Sequence, residues 1–207
     1  RRLERLPAGP IAPESLACIL DAYGIGLVSW KSAESEDAAV AAAETFGYPV
    51  VLKTAHAEVL HKSDVEGVHL NLPDVDAVRG AYGKLLKIGP VVLVQKMAHP
   101  GLEWLVGGRQ DPSFGPAVVA GLGGIYVEIF QETSIRIAPI TMEEAGRMVD
   151  GSRGAALVRG VRGEAALDRE ALCDALVRIS WLLHDFPEIR ELDLNPVRLY
   201  PEGYMAL

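Results

Sequence analysis

Side chains able to do chemistry concentrate in one polar loop between two predicted strands. The first strand, Pro49–Lys53, is apolar until it ends in a lysine, and the second is Gly67–Leu72. The loop between them carries His61 and Lys62. The ammonium group of Lys53 must reach water or an anion, because a buried unpaired charge is unfavourable, and its long stem allows it to reach water at the sheet edge. The neighbouring basic loop favours an anion, and the segment is typical of a site that grips a chain of phosphates.

His61 has three possible roles. It could be a solvated loop residue, which is the commonest fate of a single histidine. It could bind a metal, but no partner at metal-ligand spacing accompanies it and no CxxC motif is present. It could also accept a phosphoryl group, because a neutral imidazole is available near neutral pH.

The motif ELDLNP (191–196) is more specific. In a strand, Glu191, Asp193 and Asn195 point to one face and the two leucines point to the other. Three oxygen-bearing side chains on one face favour a hard cation such as Mg²⁺, with phosphate oxygens completing its coordination. The alternative is a solvent-facing strand edge before a proline turn.

Three further features are weaker indications of a binding site. GLGG (121–124) is either an anion-binding turn or a hairpin. Arg136 alternates with isoleucines and could reach a phosphate or pair with Glu128. The predicted strand Val91–Met97 could offer backbone groups to a base, an argument that rests on geometry alone.

Composition indicates a soluble globular protein. The 207 residues are 49% hydrophobic and 23% charged, and no run of 18 apolar residues occurs. A net charge of −8 argues against broad binding to nucleic acid or to an anionic membrane. Cys18 and Cys173 lie in helical patterns and are expected to be buried, reduced thiols, as in a cytoplasmic protein. The three tryptophans are expected to pack in the core.

The order of helices and strands predicts an α+β fold of two lobes. Residues 1–12 are a lead-in, 13–98 an N-terminal lobe and 99–207 a C-terminal lobe, with a hinge near 97–101. Predicted helices are 13–23, 35–46, 74–87, 141–150 and 168–186. Predicted strands are 25–30, 49–53, 67–72, 91–97, 103–108, 117–121, 125–130, 134–138, 189–194, 197–200 and 204–207. Ser35 is a predicted N-cap, and Thr141 with Glu144 forms a capping box.

These residues resemble a known family. The chain from about Pro13 to Leu207 is similar to the ATP-grasp domain (β part) of NDP-forming acyl-CoA synthetases, including ADP-forming acetyl-CoA synthetase, which are related to the succinyl-CoA synthetase β subunit. The motifs that carry the resemblance are GYPVVLKT (47–54), LHKSDVEGV (60–68), VLVQKM (92–97), DPSFGP (111–116), GLGGIYVE (121–128), IRIAP (135–139), DFPEI (185–189) and ELDLNP (191–196).

The resemblance implies a two-lobed ATP-grasp fold that binds ATP or ADP with Mg²⁺. Lys53 would hold nucleotide phosphates and Arg136 would offset phosphoryl charge. Asp193 and Asn195 would bind the metal. The residues that the resemblance places around the adenine are Val94, Gln95, Lys96 and Met97, with Glu103 near the nucleotide.

His61 matches a histidine that carries the phosphoryl group. The implied reaction converts acyl-CoA, phosphate and ADP reversibly into carboxylate, CoA and ATP. A CoA-binding domain or subunit would be the partner, within a larger multidomain or hetero-oligomeric assembly. Acyl-CoA and phosphate would enter through that partner, and without it the chain should be inactive.

The sequence departs from the family pattern in three places. The family's closing strand ends in Ala-x-Asp-Ala-Arg, whose aspartate helps to hold the metal, but this sequence ends at Leu207, one residue short. Either it is cut there or the metal site is incomplete. Gln110 stands where an arginine is expected before Asp-Pro, with Arg109 one place earlier. Glu66 stands where glycine is common.

Two alternatives remain. The chain could be a regulatory nucleotide-binding domain fused to a GNAT-type protein lysine acetyltransferase, or another ATP-grasp carboxylate ligase that forms an acyl phosphate and does not need His61. The presence of Lys53, His61, Asp193 and Asn195 favours the synthetase.

Overall fold

The structure is a computed structural model, and it describes residues 9–55, 67–124, 132–161 and 163–207. The described residues form two compact units. Residues 9–13 and 28–99 make up the first unit, and residues 14–27 and 100–207 make up the second. The assignment of two ATP-grasp lobes with bounds at 13–98 and 99–207 stays a prediction.

The first unit is a four-stranded antiparallel sheet with two helices on one face. Its strands are β1 (Trp30–Ala33), β2 (Val50–Thr54), β3 (Val68–Leu72) and β4 (Val92–Lys96), and their order is β1-β4-β2-β3. The helices are α2 (Glu36–Phe46) and α3 (Val75–Leu85). Alternate residues of β2 and β4 pack with both helices in one core, namely Val50, Leu52, Val92 and Val94.

Local signals set the helix ends of this unit. The Ser35 side chain accepts a hydrogen bond from the Ala38 N–H at 3.2 Å, and Gly47 follows α2 with a φ of 76°. Asp74 caps α3 by accepting from the Ala77 N–H at 2.9 Å. The first of these contacts confirms the predicted N-cap at Ser35, and a glycine with a positive φ is a usual way for a helix to end.

The second unit is a five-stranded antiparallel sheet with its helices packed mainly on one face. Its strands are β5 (Leu102–Asp111), β6 (Gly115–Leu122), β7 (Thr133–Ile137), β8 (Glu191–Leu199) and β9 (Tyr204–Ala206), in the order β7-β6-β5-β8-β9. Its helices are α1 (Pro13–Ala22), α4 (Met142–Asp150), α5 (Ala155–Val158) and α6 (Arg169–Asp185). The predicted capping box at Thr141 and Glu144 is present at the start of α4.

The first helix, α1, belongs to the second unit. The Tyr23 hydroxyl donates to Asp185 at 2.6 Å, and Arg178 Nη1 donates to the backbone oxygen of Tyr23 at 2.9 Å. Both partners lie on α6. Helix α1 therefore packs within the second unit, although the strands that follow it in sequence, β1 to β4, form the first.

Three predictions about single elements need comment. Residues 25–30 are not a strand; Leu27 makes one isolated bridge to Ala206, and β1 starts at Trp30. The apolar pattern there reflects Ile25 and Val28, which are buried in a connecting segment. The two strands predicted at 189–194 and 197–200 are one strand, because β8 continues through the Asn195–Pro196 bond. The predicted strand 125–130 lies outside the described residues.

Two burial predictions are wrong. Cys18 is exposed, because α1 buries the neighbouring Ile19 and Leu20 instead, while Cys173 is buried as predicted. Trp181 is 46% exposed on the outer side of α6, where it makes an edge contact with the ring of His184. None of the helices in the described parts of the chain is long and apolar enough to cross a membrane.

Candidate functional site

One face of the five-stranded sheet carries the side chains predicted to bind a metal. On β8, Glu191, Asp193 and Asn195 are exposed, and the intervening Leu192 and Leu194 are buried. The alternation confirms that the three oxygen-bearing side chains share one face of the sheet. We call this side of the sheet the carboxylate face.

β5 adds Glu103 to the carboxylate face. In the pairing of β5 with β8, Gly107 lies opposite Asp193 and Glu103 lies opposite Arg198. Directly opposed residues of an antiparallel pair point to the same side. The odd-numbered residues of β5 therefore share a face with Asp193.

The even-numbered residues of β5 face α6. Gln110 Nε2 donates to the backbone oxygen of Leu183 at 2.8 Å. A Cβ atom added to Gly108 would lie 2.5 Å from Leu183 Cδ1, and Trp104, on the same side, is fully buried. The carboxylate face is therefore the side of the sheet that points away from α6.

Asp193 and Asn195 fit a magnesium ion that shares its coordination with phosphate. Their Cα atoms are two residues apart on one strand, about 7 Å, and both side chains leave the same face of the sheet, so their oxygens can turn towards a common point. Gly107, opposite Asp193, has no side chain, and a Cβ atom there would lie 2.3 Å from the Leu192 oxygen. Mg²⁺ in nucleotide sites is commonly held by one or two protein ligands plus phosphates and water. Among the described residues no group of three His, Cys, Asp or Glu side chains is placed to hold a metal ion, and the metal role of this pair stays a prediction.

Glu103 is held by a cross-strand ion pair and a glycine turn. Arg198 Nε and Nη2 donate to Glu103 Oε1 at 3.0 and 2.8 Å, and both side chains are mostly buried. The Gly123 N–H donates to the Glu103 backbone oxygen at 2.7 Å. Gly124 has a φ of 59°, and a Cβ atom there would lie 2.2 Å from Glu103 Oε2. The turn thus packs against a carboxylate, which disfavours its predicted alternative as an anion-binding turn.

A cavity of about 510 Å³ opens beside Glu103. Its walls come from Gly101–Glu103, from Gly123 and Gly124, and from Leu157, Glu164 and Leu167. The wall is largely apolar and carries two carboxylates. It therefore suits an uncharged group that donates hydrogen bonds better than it suits a phosphate.

Arg198 and Tyr200 were not predicted to lie near this site. Arg198 holds Glu103, and a Cβ atom added to Gly101 would lie 2.8 Å from the Tyr200 ring. Burial raises the pKa of the Tyr200 phenol, and the nearby carboxylate of Glu103 adds to the rise against the opposite effect of Arg198. The sequence did not indicate these two residues because their position depends on the register of β5 with β8. Nothing local to either strand shows which residues face each other.

Lys53 lies on the first unit's sheet, on the face away from α2 and α3. It pairs with Leu93 on one side and Val68 on the other, and its side chain is half-buried. Gln95, opposite Val51, shares that face and is 7% exposed. The structure therefore brings together Lys53 and Gln95, two of the predicted nucleotide-binding residues.

The other residues predicted to surround the adenine are placed differently. The side chain of Val94 is buried in the core with the helices, and Lys96 is exposed. The Lys96 N–H is already bonded to the Ser29 oxygen at 2.9 Å. Because β4 lies between β1 and β2, its backbone groups are hydrogen-bonded to neighbouring strands. Backbone groups that could bind a base are therefore expected after β4, from Met97 onward.

Two predicted site residues remain, His61 and Arg136. His61, with Lys62, lies outside the described residues. Arg136 pairs with Val118 on the helix-covered face of the second sheet, opposite to the carboxylate face, and its Nη1 donates to the Ile135 oxygen at 2.7 Å. The structure does not bring Arg136 together with Asp193, and its role as a phosphate ligand stays a prediction. Its alternative partner, Glu128, is also outside the described residues.

Curated proteins are similar to this chain in sequence. The β subunit of the ADP-forming acetate–CoA ligase I of Pyrococcus furiosus is 36% identical over 96% of this chain and 89% of that subunit. The ADP-forming acetate–CoA ligase I of Archaeoglobus fulgidus is 44% identical over 91% of this chain, which spans only 29% of that relative's length.

A solved structure shares the fold closely. It is acetyl-coenzyme A synthetase 1 of Ca. Korarchaeum cryptofilum in complex with coenzyme A and Mg-AMPPCP, whose phosphohistidine segment points towards the nucleotide-binding site. It matches 94% of this chain and 88% of that chain with a TM-score of 0.79 and 38% identity. Residues 12–207 match the family model described as ATP-grasp domain. The chain belongs to the ATP-grasp domain family, in the group that contains the β subunits of ADP-forming acetate–CoA ligases.

Proposed function

We propose that this chain is the nucleotide-binding part of an ADP-forming acyl-CoA synthetase. It would bind ADP or ATP with Mg²⁺ and pass a phosphoryl group between the nucleotide and a phosphohistidine, in the reversible conversion of acyl-CoA, phosphate and ADP into carboxylate, CoA and ATP. The observation that carries the proposal is the carboxylate face, on which Glu103, Asp193 and Asn195 share one side of one sheet.

The candidate residues each suit a part of a magnesium–nucleotide complex. Glu103 accepts hydrogen bonds, so a hydroxyl-bearing group of the ligand fits beside it in the cavity. Asp193 and Asn195 would hold Mg²⁺, which when bound offsets the charge of the phosphates. Lys53 is an ammonium donor on a sheet face of the first unit and would bind phosphate oxygens. Phosphoryl transfer requires mainly such positioning and charge compensation.

His61 is the proposed acceptor of the phosphoryl group. Its neutral imidazole has a nucleophilic nitrogen near neutral pH. A relay through a histidine suits an enzyme whose acyl-CoA chemistry and nucleotide lie in different domains. The K. cryptofilum synthetase also has a phosphohistidine segment that points towards its nucleotide-binding site.

A partner would supply the acyl-CoA chemistry. The P. furiosus relative is a separate β subunit, whereas the A. fulgidus ligase carries the matching part within a longer chain. We therefore expect the partner to be either a second subunit or another domain of the parent protein, with a CoA-binding site of its own. The relatives support the synthetase and give no support to the regulatory acetyltransferase alternative.

Transfer of label from γ-labelled ATP tests the proposal. Incubated with the CoA-binding partner and Mg²⁺, the chain should become labelled on an acid-labile site, and His61→Ala should abolish the labelling while leaving ADP binding nearly intact. His184→Ala, which changes an exposed histidine on α6, is the matched control and should label normally. Full labelling and turnover by His61→Ala would reject the relay.

A further inference from the structure

Arg109 lies on the carboxylate face. It pairs with Glu191 on β8 and with Ala117 on β6. Its neighbour Gln110 donates to the Leu183 backbone oxygen, and a Cβ atom added to Gly108 would meet Leu183 Cδ1, both on the α6 side of the sheet. The side chain of Arg109 therefore points away from α6. The residue is exposed, and Ala117 beside it is too small to cover the guanidinium.

The paired residues of β5 and β8 give the order of groups along the carboxylate face. Glu103 with Arg198 comes first, Asp193 opposite Gly107 is about 13 Å further along, and Arg109 with Glu191 is about 7 Å beyond that. Arg109 and Asp193 are diagonal neighbours, about 7–8 Å apart and within reach of a long side chain. The order is therefore hydrogen-bond acceptor, metal-binding pair, guanidinium.

The charged side chains of the carboxylate face single out the position of Arg109. Strands β5 to β9 are described in full, and the cations that they place on the carboxylate face are Arg109 and Arg198. Arg198 is bonded to Glu103. The face also carries Glu191, Asp193 and Asp111, and the Asp111 carboxylate interacts electrostatically with Arg109. An anionic ligand therefore needs a cation near its most charged end, and Arg109 is the exposed guanidinium placed there.

We propose that Arg109 binds the terminal phosphoryl group of the nucleotide, with Glu191 opposite to it orienting the guanidinium. A guanidinium fits two phosphate oxygens with two parallel N–H donors, which a lysine cannot reproduce. This inference rests on the proposed function, because it assumes that Asp193 and Asn195 hold the phosphates through Mg²⁺. It extends that function by naming the residue that distinguishes a triphosphate from a diphosphate.

An exchange of two neighbouring residues tests whether the guanidinium must lie on the carboxylate face. Gln110 is the neighbour of Arg109 and faces α6. Exchanging the two residues (Arg109→Gln with Gln110→Arg) keeps composition and net charge but moves the guanidinium to the opposite face of the sheet. This double variant is therefore a matched control for the single variant Arg109→Gln.

Calorimetric binding of Mg·ATP and Mg·ADP to the purified chain measures the effect. Arg109→Gln should weaken Mg·ATP by about 10-fold or more, the loss expected for a hydrogen bond to a charged group, and leave Mg·ADP within about 2-fold. Arg109→Lys should recover part of the Mg·ATP affinity, and the exchanged variant should stay as weak as Arg109→Gln.

Equal losses for both nucleotides, an unchanged Mg·ATP affinity, or recovery by the exchanged variant would each overturn the inference. If the exchanged variant unfolds, the comparison of Arg109→Gln with Arg109→Lys decides by itself. Binding of neither nucleotide by the unchanged chain would instead count against the proposed function, so the two failures are distinguishable.

Discussion

Glu103 and Arg198 face each other across β5 and β8, joined by two hydrogen bonds of 3.0 and 2.8 Å to the same carboxylate oxygen. They are 95 residues apart in sequence. The pair fixes the orientation of Glu103 in the wall of the cavity and lies towards one end of the carboxylate face. Its removal should therefore affect both stability and ligand binding.

Arg198→Met tests the ion pair. It removes both hydrogen bonds and keeps an unbranched side chain, so the free energy of unfolding should fall by about 1.5–3 kcal/mol, the range for a hydrogen bond to a charged group. Nucleotide affinity should also fall, because Glu103 is no longer held beside the cavity. Denaturant unfolding and calorimetry measure the two effects.

A double-mutant cycle with Glu103→Gln shows whether the two residues act together. Once either partner is lost, the second substitution should cost little, so the combined loss should be clearly smaller than the sum of the single losses. Additive losses would mean that the two residues contribute independently.

Gly124→Ala tests the contact between the glycine turn and Glu103. The φ of 59° disfavours alanine, and the new Cβ atom would overlap Glu103 Oε2. We expect a loss of stability above the roughly 1–2 kcal/mol typical of a left-handed non-glycine residue, together with weaker nucleotide binding.

Gly115→Ala is the matched control for that substitution. Gly115 has a φ of 78° but no heavy atom within 4 Å of an added Cβ, outside its own chain neighbours. The Gly115→Ala variant should lose only the stability that a left-handed alanine costs, and its nucleotide affinity should be unchanged. If both alanine variants bind nucleotide equally well, the turn does not position Glu103.

Asp168 should make stability depend on pH. Its carboxylate accepts from the N–H groups of Ala171 and Gly203 at 2.9 and 2.8 Å, and these bonds hold its pKa below the usual 3.8. Because the folded-state pKa is the lower one, the contribution to stability is present above pH 3.8 and is lost as the pH falls through the folded value.

Asp168→Asn removes the negative charge of this side chain but keeps an oxygen that can cap α6. Asparagine also caps helices well, so the variant should be nearly as stable as the unchanged chain at low pH and less stable near neutrality. Unfolding curves collected across this range measure the difference. A constant difference at all pH values would contradict the assignment.

Local structure was predictable where a few neighbouring residues decide it. Ser35 caps α2, Thr141 with Glu144 caps α4, and the alternation of ELDLNP places three polar side chains on one face, all as expected. Each of these features follows from side-chain type and spacing within one turn or one strand.

Features that depend on strand pairing were not predictable. The sequence left open whether Arg136 reaches a phosphate or pairs with Glu128, and only its pairing with Val118 shows that it lies on the helix-covered face. Arg109 drew attention only as a departure from a family pattern, and the register with Glu191 gives it a place on the carboxylate face. Since a strand reverses its faces with each residue, a shift of one position exchanges these outcomes.

The most direct test of the account is the magnesium dependence of ATP binding by the chain with Asp193 and Asn195 replaced together by alanine. Calorimetry with and without Mg²⁺ should show that the unchanged chain, and the control Glu143→Ala on the exposed surface of α4, bind ATP more tightly when Mg²⁺ is present. The double variant should lose that gain and bind ATP with the same weak affinity in both conditions. A double variant that keeps the full magnesium effect would contradict the central claim that the carboxylate face binds the metal–nucleotide complex.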